Sequence, residues 1–150
     1  MIPVAIALGS NLGDRVAHLT FAIGRLRAFV SGLRVSSFID TAPVDVPDEQ
    51  PRYLNAVVAG ETSFTPEELL SRLLAIERER GRERPSLRAA RTLDLDLILY
   101  GDTIISTATL EVPHPRFRDR DFVMKPLAEI APEMVDPVTG QTIAEMAAKI

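Results

Sequence analysis

In Leu93-Asp94-Leu95-Asp96-Leu97-Ile98-Leu99 a leucine stands at every second position, with two aspartates between the first three. A helix would wind the aspartates round among the leucines, whereas an extended strand sends neighbours to opposite faces. The segment therefore predicts a strand with Leu93, Leu95, Leu97 and Leu99 in a core. Asp94 and Asp96 then share the other face, with Cα atoms about 6.6 Å apart, the length of two strand rises. Whatever this chain folds into must bury one side of that strand and keep charge on the other.

The other periodicities supply the layers around it. Ile2 to Leu8 reads as a strand that ends in Gly9-Ser10-Asn11-Leu12-Gly13, a turn of residues that tolerate unusual backbone angles. Asp14 can cap the following helix, Val16, Leu19, Ile23, Leu26 and Val30 recur at helical spacing, and Gly32 closes the element. Leu33, Val35, Ser37 and Ile39 alternate with Arg34, Ser36, Phe38 and Asp40, which predicts one strand over 33–40. Thr41 to Pro51 is aperiodic and holds Pro43, Pro47 and Pro51, so it reads as a loop beyond the common length of about 4–6 residues. A strand over Tyr53 to Glu61 follows. Thr65-Pro66-Glu67-Glu68 carries a cap, a proline at the first helical position and a capping box. Leu69, Leu70, Leu73, Leu74 and Ile76 form the buried stripe of that helix, Gly81 ends it, and Gly81 to Ala90 is irregular and basic. After the leucine strand come Val112-Pro113-His114-Pro115, a short helix over Phe122 to Ile130 and a terminal helix from about Thr142.

The order strand, helix, strand, strand, helix, strand predicts an α+β fold. It is a ferredoxin-like βαββαβ sandwich, an antiparallel sheet with helices on one face plus C-terminal helical additions. With 150 residues, 1–150 reads as a single domain. The apolar Met1 to Gly9 falls short of the roughly 20 residues of a membrane span and lacks a basic leader, so a buried strand and a cytoplasmic protein are expected.

Charge narrows the partners. A net charge of −4 argues against a dedicated nucleic-acid binder, and the lack of cysteine excludes disulfide and thiolate-metal scaffolds. Within that acidic average, Arg72, Arg78, Arg80, Arg82, Arg84, Arg88 and Arg91 crowd one stretch and Arg116, Arg118 and Arg120 another. Guanidinium groups suit bidentate contact with phosphate. A salt-bridged helix end is the plainer account of the first cluster, because Glu77, Glu79 and Glu83 interleave with it.

Two carboxylates aimed at one spot repel unless a cation lies between them, and oxygen ligands with open positions suit Mg²⁺. The polar half of an exposed strand would also explain Asp94 and Asp96. The adjacent Arg91 and the arginine-rich stretch before it favour the metal, since acids for a cation beside arginines for phosphate are the usual equipment of phosphoryl transfer. No G-x-x-x-x-G-K-[ST] occurs, so this is not a P-loop enzyme.

Arg91-Thr92-Leu93-Asp94-Leu95-Asp96, Gly81-Arg82-Glu83-Arg84, Val112-Pro113-His114, Arg120-Asp121-Phe122 and Tyr53-Leu54-Asn55-Ala56 together resemble hydroxymethyldihydropterin pyrophosphokinase. Ala7 to Gly13 and Val35-Ser36-Ser37-Phe38 fit the same family, so the likeness runs nearly end to end. The resemblance implies transfer of pyrophosphate from MgATP to the hydroxymethyl group of 6-hydroxymethyl-7,8-dihydropterin on the folate pathway, with AMP as co-product. It implies two Mg²⁺ on Asp94 and Asp96, with Arg82 and Arg91 joining them in catalysis. Glu77, Arg82, Arg84, Arg88, Arg91, Ile98, His114, Arg118 and Arg120 would meet ATP. Gly9, Thr41, Ala42, Pro43, Val44, Tyr53, Asn55, Asp94 and Phe122 would meet the pterin, with Tyr53 and Phe122 as a sandwich and Asn55 at the ring edge. The implied partners are ATP and the pterin, without nucleic acid or membrane, on a monomer. Two positions depart from the pattern. Leu87-Arg88-Ala89-Ala90-Arg91 stands where the family often carries Arg-Trp-Gly-Pro-Arg, so Arg88 takes either the tryptophan or the arginine position, and Pro115 follows His114 in place of an aromatic. The alternatives on the same fold are a non-catalytic nucleotide- or RNA-binding module, which would show stacked aromatics and a basic face, and polymerase-like nucleotidyl transfer.

Overall fold

The computed structural model describes residues 1–42, 52–81 and 92–150. Pro43, Val44, Arg82, Arg84, Arg88 and Arg91, expected at the site, lie outside the described residues. The elements are β1 (Ile2–Ser10), α1 (Arg15–Leu26), β2 (Ser31–Val35), β3 (Ile39–Thr41), β4 (Tyr53–Thr62), α2 (Pro66–Glu79) and β5 (Asp94–Tyr100), then β6 (Ile105–Ser106), β7 (Glu111–Val112), α3 (Asp121–Ile130) and α4 (Ile143–Ala147). The main sheet runs β2-β4-β1-β5, with β3 also paired to β4, and every pairing in it is antiparallel. This is the predicted βαββαβ arrangement. Among the described residues no helix is long and apolar enough to cross a membrane.

Local chemistry explains the helix starts. Asp14 caps α1 by accepting from the Ala17 N–H, and Thr65 and Glu68 form a reciprocal capping box on α2 with Pro66 at the first helical position. Thr142 and Glu145 repeat that box on α4. Gly81 follows the end of α2 at φ +76, the left-handed conformation that terminates helices at little cost for glycine.

Two cores divide the sheet. On one face Leu19, Ala22 and Leu26 of α1 and Leu69, Leu73 and Ile76 of α2 pack on Val4, Ile6, Leu8, Ala56, Val58, Leu95 and Leu97. On the other, Val123, Met124 and Leu127 of α3 and Ile143 and Met146 of α4 pack on Ala5, Val57, Ala59, Ile98 and Leu99. The C-terminal additions therefore cover much of the face that the sequence pattern leaves open for the aspartates.

Several expectations are corrected. Leu99 lies on the α3 side, not with the other leucines. Ala5 pairs with Leu99 but Ile6 pairs with Leu97, and this bulge at Ile98 reverses the side-chain alternation. Val16 is 56% exposed and Leu74 41% exposed, so neither belongs to its helix's buried stripe. Val30 is buried but lies beyond the end of α1, and Gly32 is inside β2 at φ +61, next to a register shift between Ser31 and Arg34. The predicted single strand over 33–40 is broken at residues 36–38. Buried Ser36 donates its N–H to the Val57 carbonyl (3.0 Å) and accepts the Val57 N–H on its hydroxyl (2.9 Å). The side chain thus supplies an acceptor to the ladder, and the alternation changes parity there.

Ser36→Ala removes that acceptor and strands a buried N–H, a loss of about 1–3 kcal/mol. Denaturant unfolding of the variant should show a lowered midpoint with an unchanged slope. An unchanged midpoint would mean that the Ser36–Val57 pinch does not hold β2 and β3 to β4.

Candidate active site

The three central strands set the site. Gly9 on β1 lies opposite Asn55 on β4 and opposite Asp94 on β5, and Ala7 lies between Val57 and Asp96. Tyr53 and Asn55 therefore share a sheet face with Asp94 and Asp96, with only small residues of β1 between them. Val57, Ala59, Ile98 and Leu99 continue this face under α3, where it is apolar and buried; beyond them it opens into a cavity of about 680 Å³.

Gly9 and Ala7 form the floor. A Cβ at residue 9 would stand 3.3 Å from Asn55 Oδ1 and 3.8 Å from Tyr53 Cδ1, so glycine keeps this end of the floor clear. One wall is Thr41, Ala42, Tyr53 and Asn55. The Asn55 amide donates to Thr41 Oγ1 at 2.8 Å, which leaves its Oδ1 on the Gly9 side as an acceptor at the cavity. The opposite wall is Asp94, Asp96 and Ile98 of β5. Glu77 on α2 is buried, and its Oε2 accepts the Leu95 N–H at 2.7 Å, the peptide group between the two aspartates. Predicted as an ATP contact, Glu77 is not among the residues lining the cavity; it holds the acid-bearing strand from outside the cavity.

The remaining side comes from the segment ahead of α3, with His114, Arg116, Asp119 and Arg120, and from Phe122 on α3 itself. The segment follows a cis Val112–Pro113 bond, and the His114 N–H donates to the Ile98 carbonyl at 3.0 Å, which ties it to β5. His114 Nδ1 accepts the Arg116 N–H at 3.2 Å, so the neutral ring carries its proton on Nε2. Burial, then the Arg120 charge, pushes the His114 imidazole below its usual 6.5, with Asp94 pulling the other way and Arg116 adding to the depression. The Arg120 guanidinium lies over the Phe122 ring at 5.7 Å.

Among the described residues no group of three or more His, Asp or Glu side chains converges as a metal cage. Asp94 and Asp96 offer two carboxylates on one strand face with cavity in front of them. That donor set suits a hard cation that keeps waters or takes phosphate oxygens, as Mg²⁺ does.

Of the described residues expected at the site, Gly9, Thr41, Ala42, Tyr53, Asn55, Asp94, Asp96, Ile98, His114, Arg120 and Phe122 meet in this one cavity. Arg118 does not. Its Nε and Nη2 donate to the fully buried Asp136 at 2.6 and 2.9 Å, and it stacks on Phe117. Sequence reasoning also missed Asp119, which carries no pattern signal, and Arg116, which stood in the noted arginine cluster. A second cavity of about 280 Å³ adjoins the first through Asp96 and His114 and is bounded by Leu70, Leu110 and Pro115. Its 107–111 wall, Thr-Ala-Thr-Leu-Glu, has no periodicity to announce it.

The chain as a whole is similar to known proteins. The family described as 7,8-dihydro-6-hydroxymethylpterin-pyrophosphokinase (HPPK) matches residues 5–132. The chain is 45% identical over 144 residues to the 2-amino-4-hydroxy-6-hydroxymethyldihydropteridine pyrophosphokinase of Synechocystis sp., covering 94% of this chain and 72% of that one. The Haemophilus influenzae protein of the same name is 42% identical over 148 residues, with 97% and 91% covered. The folic acid synthesis protein fol1 of Pneumocystis carinii is 41% identical over 150 residues, but the match spans 98% of this chain and only 20% of fol1. A crystal structure of an HPPK-DHPS in complex with substrates superposes with a TM-score of 0.76 at 12% identity over 99% of this chain and 43% of that one. Wild-type Plasmodium falciparum HPPK-DHPS gives 0.73 at 14%, with 99% and 44% covered. The chain thus spans less than half of these longer proteins, and at such identities the superpositions speak for the fold.

Asp136 tests the reassignment of Arg118. Burial alone would raise its carboxyl, but the Arg118 guanidinium, the Val138 N–H and the Thr139 hydroxyl outweigh it and hold the group below 3.8. A depressed folded value gives stability that is present above the unfolded value and lost as pH falls through the folded one. Asp136→Asn should therefore cost about 3 kcal/mol at neutral pH. The gap from the parent should shrink below pH 3.8 in pH-resolved unfolding. A pH-independent gap would contradict the ion pair.

Proposed function

The chain belongs to the 7,8-dihydro-6-hydroxymethylpterin-pyrophosphokinase family, and we propose that its cavity holds MgATP and the pterin side by side across β1. The family's reaction transfers pyrophosphate from ATP to the hydroxymethyl group of the dihydropterin, a step of folate biosynthesis. The hydroxyl oxygen attacks the β-phosphorus, the bond from that phosphorus to the α-phosphate bridging oxygen breaks, and AMP leaves with that oxygen.

The observation that carries this reading is the register that sets Gly9 between Asn55 and Asp94. A flat heterocycle fits between aromatic faces with polar groups at its edge. Tyr53 and Phe122 supply the faces, and Asn55 Oδ1, fixed by the Thr41 hydroxyl, accepts from the N–H groups of the pterin edge. Across the glycine floor, Asp94 and Asp96 would hold the magnesium of MgATP, which we assign as two ions. When bound, Mg²⁺ neutralises and orients the triphosphate. His114 stays neutral and donates from Nε2 without adding charge, and Arg120 supplies a positive charge. The small cavity beside Asp96 and His114, walled by Leu70 and Leu110, suits the nucleoside. Such a site works by placing two substrates in line and by a fixed field, with no covalent enzyme intermediate.

Arg82, Arg84, Arg88 and Arg91 remain assigned to ATP on the family resemblance alone. A single domain, a cytoplasmic setting and the lack of a nucleic-acid partner belong to the same reading and rest on length and composition, and the monomer rests on the resemblance. Paired acids on the sheet face, where an RNA-binding module would display stacked aromatics, support the kinase over that module.

AMP release from ATP tests the reaction. AMP should form only when Mg²⁺ and the hydroxymethyl pterin are both present; ADP as product would contradict β-attack. Asp94→Ala and Asp96→Ala should each lower that rate by at least about a hundredfold while the protein stays folded. Near-parental turnover in either variant would remove that residue from the metal site.

A further inference from the structure

Arg116, Arg118 and Arg120 stand at alternate positions just ahead of α3, and the structure gives them three different surroundings. Arg118 is neutralised by Asp136 through two hydrogen bonds of 2.6 and 2.9 Å. Arg120 lies over the Phe122 ring and lines the large cavity. Arg116 lines the same cavity and is exposed, and its guanidinium forms no ion pair with Asp119 or any other described residue. We propose that Arg116 is a polyphosphate-binding residue of this cavity, so that Arg116 and Arg120 form a paired guanidinium grip on the nucleotide beside His114, a place the family resemblance implies for Arg118.

The proposal rests on the nucleotide reading of the cavity given above. Three observations support it. First, the Arg116 backbone is fixed at the site, because its N–H donates to His114 Nδ1 at 3.2 Å while the His114 N–H is held by Ile98 at 3.0 Å. The arginine side chain therefore starts one short turn from an imidazole that lies at the edge of both cavities. Second, the His114 ring registers the local field. The charges of Arg120 and Arg116 disfavour its protonated form, and Asp94 favours it. His114, Asp94, Arg116 and Arg120 all line the one cavity, so an anion held near the acids is within the field of both arginines. Third, an exposed guanidinium without a carboxylate partner loses little on meeting phosphate, and its planar fork matches two phosphate oxygens. Arg118 would first have to abandon the buried Asp136 carboxylate. Of the two substrates the nucleotide is the polyanion, so the extra cation should act on ATP rather than on the pterin.

Isothermal titration of the full chain decides the question, with α,β-methylene ATP plus Mg²⁺, with AMP and with the hydroxymethyl pterin as separate probes. Arg116→Gln should weaken the methylene ATP complex about five- to tenfold, as expected for one lost charge-assisted contact. Arg116→Lys should recover part of that loss, since it restores charge without the fork. Affinities for AMP and for the pterin should stay within about twofold of the parent, a range that also reports a folded variant. Methylene ATP binding that is equally unchanged in Arg116→Gln overturns the proposal, and so does a loss that falls on the pterin or equally on AMP. A parent protein that binds no nucleotide would overturn the cavity reading itself, a result seen before any variant is made.

Discussion

Hydrogen bonding of β1 to β4 on one side and to β5 on the other fixes the layout of the site. Gly9 faces Asn55 across one ladder and Asp94 across the other, so a recognition wall and an acid wall are separated by one strand. Neighbouring strands lie about 4.8 Å apart, which sets the two walls about two strand spacings apart. In the proposed reading, that separation would hold two substrates with their reacting atoms above the middle strand. The central strand carries Ala5, Ala7 and Gly9 on this face, and their small side chains serve two purposes. Where α3 and α4 cover the face, Ala5 lets a helix approach closely; where they stop, Ala7 and Gly9 leave the floor of the cavity.

The α3 segment is therefore as much a part of the site as the strands. It closes the apolar half of the face with Val123, Met124 and Leu127, and brings His114, Arg120 and Phe122 over the open half. Asp136 secures this arrangement from below by holding Arg118 and, through Val138 and Thr139, its own turn. Glu77 does the corresponding work for the acid wall by holding the Leu95 peptide. Charged groups outside the cavity lining thus set the position of those that line it.

The sequence made the strands and helix starts legible because their signals are local. The alternation around Asp94 and Asp96, the Thr65–Glu68 capping box and the Asp14 cap each lie within a few residues, and each appears as expected. What the sequence concealed depends on partners far along the chain. Arg118 and Arg120 look alike until Asp136, 18 positions beyond Arg118, selects one of them. The bulge that turns Leu99 to the α3 side arises in the pairing with Ala5 and Ile6, and the Ser36 pinch depends on Val57. Gly32 and Val16 misled because a glycine after a helical pattern and an apolar residue in register are common signals, which tertiary packing overrode here. For the site, spacing alone left the aspartates open to two readings. The family likeness joined them to Tyr53, Asn55, His114 and Phe122, and the fold brings all six into one cavity.

The layout across β1 is tested most directly by a crystal structure of the full chain with Mg²⁺, α,β-methylene ATP and the hydroxymethyl pterin bound together. The account predicts the pterin ring between Tyr53 and Phe122 with its edge on Asn55. Magnesium should lie on Asp94 and Asp96, and the β-phosphorus should stand in line with the pterin hydroxyl above Gly9. A pterin bound away from Asn55, or a triphosphate that approaches neither aspartate, would contradict it.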